Sequence, residues 1–432
     1  MLDKKLRIGI IAGIFLLLFV LLYNLPPIHN RISWRVDEWK LRVQYAMNPP
    51  EEVVFKPQST LNATPTPLPS QTLTSTTTAV PSPTSPLETL APTPTSVPLP
   101  TPIPAKVELQ GIKYEDQHDR WNYCAPANLA MALSFWDWKG DKNVVGPQIK
   151  PDPKDKNVMP YEMADYIEQE TDLKVVVRSG GNIETLKRFI AAGFPVMVEK
   201  GVYFRDISGI VSWMGHYEVF NGYDDAEKVL IGQDSFVGAD QRSPYESVEK
   251  GWRSFNNIYL VIYPPAREVE VMTLLEENAD ETINLQNAAQ KASEEIYLTT
   301  GIDQFFAWYN RGTSLMQLQD YSGAALAYDQ AFSIYPSISE KERPWRMLWY
   351  QTGPYFAYFY VGRYYDVIAL ADQTLNSIQT EKNLEESYYW RGMARASLGD
   401  TSGAAEDYRF ALQYHPNFGP ALYQLGQLGV AP

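Results

Sequence analysis

Trp121-Asn122-Tyr123-Cys124-Ala125-Pro126-Ala127 holds the single cysteine of the chain and stands directly before a helical pattern. Over 125–136, Leu129, Ala132, Leu133 and Trp136 recur on one helical face. A thiol at a helix start has its thiolate favoured by the unpaired N–H groups and the helix dipole there. With one cysteine the chain has no internal disulfide framework. The plain alternative for Cys124 is a small buried packing residue.

Outward from this stretch, the spacing predicts further helices at 161–170 and 183–192. Strands are expected at 174–177, 194–199, 216–223, 228–233 and 258–263. Helix first and sheet afterwards is an α+β arrangement. His216, in Gly215-His216-Tyr217, falls at the start of one expected strand, and Asp234, in Gln233-Asp234-Ser235, at the end of the next. Gln117 lies upstream of Cys124, where a side-chain amide can donate to an oxyanion. Nucleophile, base and orienting acid thus occur in the chain order Gln, Cys, His, Asp. His118 is a rival base and Asp224 a rival third member. His29 and His415 read as structural.

From about residue 268 onward the pattern is helical and repeats. Trp308, Gly312, Ala324, Tyr328, Ala331 and Pro336 recur at the same offsets as Tyr388, Gly392, Ala404, Tyr408, Ala411 and Pro416. The small residues let paired helices approach closely, and the prolines end the second helix. A degenerate copy spans 348–378, with an unrelated helical bundle as the alternative. Tyr263-Pro264-Pro265 marks the boundary and predicts two separable folded regions.

The N-terminal part reads differently. Residues 6–25 are almost wholly apolar and match the length of a transmembrane helix, following Lys4 and Lys5. The expectation is a signal-anchor with residues 1–5 cytoplasmic and the folded regions extracytoplasmic, in a single-pass cell-membrane protein. A cleaved signal peptide is the rival, but no small-residue cleavage site follows the run. Residues 26–48 mix basic and aromatic side chains, as a juxtamembrane helix or an amphipathic stalk would. Residues 49–105 are rich in Pro, Thr and Ser and read as a disordered linker.

The formal charge of −14 argues against nucleic-acid binding, which depends on neutralising phosphates. No cofactor or metal site is expected. Asp152, Asp155 and Glu162 lack a calcium-loop pattern, and Ser179-Gly180-Gly181 lacks a phosphate-loop lysine.

Together, Gln117, Cys124-Ala125-Pro126-Ala127-Asn128, Gly215-His216-Tyr217, Gly222-Tyr223-Asp224-Asp225 and Asp234-Ser235 resemble the papain-like cysteine peptidases of family 39, the bacteriocin-processing or double-glycine peptidase group. The family usually has Cys-Gly-Pro where this chain has Cys124-Ala125-Pro126. The repeats at the C-terminal end resemble tetratricopeptide repeats. The resemblance implies a papain-like domain at 107–265 and an all-α repeat domain at 268–432. It also implies Cys124 as nucleophile, His216 as general base, Asp234 as orienting acid and Gln117 as oxyanion donor. The function expected is that of a membrane-anchored thiol protease or amidase, a hydrolase of a peptide or protein substrate, with a protein partner on the repeats. The alternative is a catalytically inactive papain-like domain acting as a binding or scaffold protein.

Overall fold

The computed structural model describes residues 4–23, 35–36, 39–40, 42–43, 46–47, 55–57, 103–120, 122–205, 211–378 and 381–432. Most of the expected 26–48 segment and of the 49–105 linker lies outside the described residues. Helix α1 (Lys4–Tyr23) forms at the N-terminal end. Among the described residues, however, no helix is long and apolar enough to cross a membrane. The expected transmembrane anchor is corrected on this ground. With it go the membrane as a partner and the single-pass, extracytoplasmic location.

The α+β region is built on one antiparallel sheet. Its strands are β1 (Lys106–Glu108), β2 (Lys174–Arg178), β3 (Val196–Arg205), β4 (Val211–Asp224), β5 (Val229–Asp234), β6 (Gly238–Pro244) and β7 (Tyr259–Tyr263). They lie in the order β2-β7-β3-β4-β5-β6, and β1 pairs with β4 beyond the end of β3. Strand β6 shows no apolar alternation in the sequence. It is a polar edge strand carrying a glycine and a proline, features that suit an edge and hide it from periodicity.

Helices cover both faces of the sheet. On one face α2 (Cys124–Ser134), α3 (Lys142–Ile149) and α4 (Pro160–Glu170) bury Leu129, Leu133, Val145 and Ile167 against Met197, Tyr217, Val219 and Leu260. On the other, α5 (Ile183–Ala191) and α6 (Tyr245–Arg253) bury Leu186, Phe189 and Trp252 against Val196, Val198, Phe220 and Val261. Helix α3 escaped the sequence reading because Gly146 and Pro147 interrupt it. Asp141 caps it by accepting from the N–H groups of Asn143 and Val144. Gly146 is needed where it stands, since a Cβ there would come 1.6 Å from the Tyr123 hydroxyl oxygen. Helix α3 therefore presses closely on the residue before Cys124.

The remainder is all-α. After α7 (Glu268–Leu275) and α8 (Glu281–Leu298) come the antiparallel pair α9 (Gly301–Gln317) and α10 (Tyr321–Ile334). Then follow α11 (Met347–Tyr350), α12 (Gly353–Tyr360), α13 (Tyr364–Asn376), the pair α14 (Glu385–Ser397) and α15 (Thr401–Tyr414), and α16 (Gly419–Leu428). The repeat pattern acts as its residue sizes require. A Cβ on Gly312 would lie 2.8 Å from the Tyr328 ring, and one on Gly392 would lie 2.7 Å from the Tyr408 ring. The two regions share one apolar cluster. In it Trp213 of β4 and Phe255 join Phe305, Phe306, Tyr309 and Tyr328 of the helices.

Candidate active site

Cys124 opens α2 behind Tyr123, which makes no side-chain cap. The sulfur therefore stands where the first helical N–H groups lack intrahelical acceptors. Cys124 is partly buried. The His216 imidazole comes from the middle of β4 and is 3% exposed. Its Nε2 lies 2.8 Å from Oδ1 of Asp234, at the end of β5. The same carboxylate oxygen accepts from the backbone N–H groups of Phe236 at 2.8 Å and Val237 at 3.0 Å. Phe204 sets its ring edge to the imidazole at 5.3 Å and stacks on Phe236 at 4.3 Å, which keeps water from the pair.

These contacts set the charge state. Burial opposes an imidazolium at His216, but the Asp234 carboxylate, followed by the Cys124 thiol, lifts the imidazole to about 9. Burial would raise the Asp234 carboxyl, yet His216, Lys200 and the Val237 N–H pull it well below the usual range. Burial also opposes a thiolate. His216 beside it, the Tyr217 N–H and Lys150 still bring the Cys124 thiol below its ordinary value. The fields of imidazolium and thiolate thus support each other.

Asp224 stands elsewhere. It ends β4 and pairs with Lys106 at 3.0 Å and Arg242 at 3.6 Å. Eight residues of extended strand, about 27 Å, separate it from His216. His118 is exposed and bonds its own neighbour, Asp116, at 2.9 Å. Gln117 is held by Ser235, whose carbonyl accepts from the Gln117 N–H at 3.0 Å. The Ser235 hydroxyl donates to Gln117 Oε1 at 2.7 Å, which leaves the amide nitrogen end for another partner.

Two residues were given no role from the sequence. Asn128 is fully buried, one helical turn after Cys124. Its Nδ2 lies 2.9 Å from the Cys124 carbonyl, 2.8 Å from the Tyr217 carbonyl and 2.9 Å from Ser235 Oγ. One amide therefore ties together the chain segments that carry Cys124, His216 and Asp234. The signal available in the sequence was its spacing of four from Cys124 on a predicted helix. Glu199 pairs with Tyr217 in the β3–β4 ladder and is 2% exposed, with Oε1 lacking a partner. Burial drives its carboxyl well above the usual range, the Tyr217 hydroxyl opposes this, and Cys124 adds to it.

The repeat region reaches the same place. Tyr350 packs its ring edge on Trp213 at 5.8 Å and lies against Gly215. Arg346 donates to the Trp213 carbonyl at 3.1 Å and to the Ser212 hydroxyl. A fully assembled Cys-His-Asp triad is not seen among the described residues. What is present is a bonded His216–Asp234 pair with a covered thiol beside it. The expectation of a membrane-anchored hydrolase working through such a triad is corrected accordingly.

A second cluster joins the two regions. His415 Nδ1 lies 2.9 Å from Glu385 Oε1 and 3.9 Å from Glu162 Oε1. Among the described residues these three form a group that could hold a metal ion.

Comparison with known proteins agrees with the fold. Residues 109–261 match the Peptidase_C39 like family, and residues 305–338 match the tetratricopeptide repeat. No curated protein matches the chain. Among solved structures, the chain is similar to a C39-like peptidase from Bacillus anthracis at 19% identity and a TM-score of 0.31. That match covers 36% of this chain and 96% of the other. A likeness of that size carries no argument about function. On the family matches and the fold together, this chain carries a C39-like peptidase domain at residues 109–261, followed by a tetratricopeptide-repeat region at 305–338.

Proposed function

We propose that the chain is a binding or scaffold protein. In this reading the C39-like domain is catalytically inactive and serves as a platform, and the repeats hold a protein or peptide partner. One observation carries it: the repeat region covers the strand that bears His216. Tyr350 lies on Gly215 and Arg346 grips Ser212 and Trp213, so a substrate approaching along β4 meets a packed surface. Helical repeats of this kind present extended binding surfaces. The test is alkylation of the full chain by iodoacetamide together with a peptide-library assay for cleavage. The binding reading expects slow labelling of Cys124 in the unaltered chain and no cleaved peptide.

A second reading is cysteine peptidase or amidase chemistry at Cys124. It is supported by the His216–Asp234 bond and by the lowered thiol pKa. In it Cys124 attacks the carbonyl, His216 carries the proton, Asp234 orients the ring, and Gln117 donates to the oxyanion. This reading expects fast labelling that falls at least tenfold on His216→Ala, and turnover that Cys124→Ser abolishes.

A further inference from the structure

Phe55 is the only aromatic residue between positions 49 and 105, a tract otherwise dominated by Pro, Thr and Ser. It is nevertheless 6% exposed. Its ring meets Phe332 edge-on at 5.0 Å and Tyr358 at 6.2 Å. Its apolar cluster also holds Phe305 of α9, Tyr335 just after α10, Met347 of α11 and Leu370 of α13, and Phe55 is itself one wall of a small open cavity that these residues line. Lys56 beside it is exposed and Pro57 is half-buried.

We infer that the tetratricopeptide-repeat region contains a recognition pocket for an aromatic side chain in an extended, proline-followed segment, and that the chain fills this pocket with its own Phe55-Lys56-Pro57. This deepens the binding reading and rests on it for its consequence. Several features point the same way. The residues packed about Phe55 come from five successive helices, α9 to α13, so the repeats as a whole build the site. Edge-to-face packing of aromatic rings fixes the orientation of the guest. A proline at position 57 biases Lys56 to an extended backbone, which lowers the ordering cost of a strand laid along a groove. Emptied of Phe55, the pocket would expose a contiguous apolar surface of Phe305, Phe332 and Tyr335, the kind of surface that marks a binding site. The occupant is covalently linked to its site, so its effective concentration is high and a free peptide competes poorly. An external partner of the same chemistry gains the pocket only by displacing Phe55.

The experiment uses the full chain and a fluorescein-labelled peptide copying residues 50–60. By fluorescence anisotropy, the peptide should bind the Phe55→Ala chain saturably and bind the unaltered chain at least tenfold more weakly. A peptide with alanine in place of its phenylalanine should not bind either chain. Absence of binding to the Phe55→Ala chain, or equal binding to both chains, would overturn the inference. If Phe55→Ala fails to fold, p-benzoylphenylalanine at position 55 keeps the test open. Photo-crosslinking should join it to the segment 328–377 of the same chain. Links formed only between chains, or none to the repeats, would overturn it. Capture of a purified partner protein by the Phe55→Ala and unaltered chains alike would leave the binding reading standing while rejecting this pocket.

Discussion

The ring of Tyr350, in the repeat region, lies against Gly215, the residue before His216. A Cβ on that glycine would come 2.8 Å from Tyr350 Cδ1 and 2.8 Å from Phe255 Cζ. Helical repeats and catalytic-type strand therefore meet within one residue of the candidate base. Because interiors are close-packed, neither side can change size without the other giving way.

Gly215→Ala should accordingly destabilise the chain by about 1–3 kcal/mol through overpacking. Tyr350→Ala made alone also costs stability, by leaving a cavity. Combined, the two should cost clearly less than their sum. Urea unfolding of both single variants and the double variant measures this coupling. Strict additivity would show that the two residues do not press on each other.

Stability should fall on the alkaline side because of His216. Its imidazole is raised from 6.5 to about 9 in the folded chain, with Asp234 as the main cause opposing burial. A folded-state pKa above the unfolded one gives a contribution that is complete below the unfolded value and is lost as pH rises through the folded one. The window for the loss therefore runs from 6.5 to about 9. Urea midpoints across that range should decline for the parent chain and decline less for Asp234→Asn. An equal slope in both would rule out this pair as the source.

Asn128→Ala removes the donor that holds the Cys124 and Tyr217 carbonyls and the Ser235 hydroxyl. Leaving buried acceptors unpaired should cost about 2–4 kcal/mol. The variant should also alter the alkylation rate of Cys124, since the link from α2 to β4 and β5 is lost. Unchanged stability, measured by urea unfolding, would mean that water or a neighbour replaces the amide.

A fragment of residues 107–265 should expose Trp213 and Phe255, which are 1% and 3% accessible in the whole chain. Both pack in a cluster shared with Phe306 and Tyr350. The expected result is strong binding of an apolar dye and concentration-dependent association, reversed when the repeat region is present. A monomeric fragment that binds no dye would restore the simpler picture of two independent units.

Much of this architecture was legible in local sequence. The helix at Cys124, the apolar strands and the Gly312–Tyr328 and Gly392–Tyr408 pairs all follow from side-chain size and period over a few turns. Helix α3 and strand β6 were not legible, because Gly146, Pro147 and a polar edge hide them from periodicity. Residues 6–25 read as a membrane span from their apolar length, the lysines before them and the missing cleavage site, yet among the described residues no helix is long and apolar enough to cross a membrane.

The choice of Asp234 over Asp224 as the partner of His216 belongs to the tertiary structure. Both acids end strands and look alike in sequence. Pairing of Val219 with Gln233, in a β4–β5 ladder that shifts register between Phe220 and Gly222, brings Asp234 toward the imidazole. It leaves Asp224 at the far end with Lys106. The cover of Tyr350 over Gly215 and the seat of Phe55 among the repeats are likewise tertiary facts. A local pattern states which side chains seek burial. Which distant surface receives them depends on the relative placement of whole elements, and no periodicity in the sequence records that.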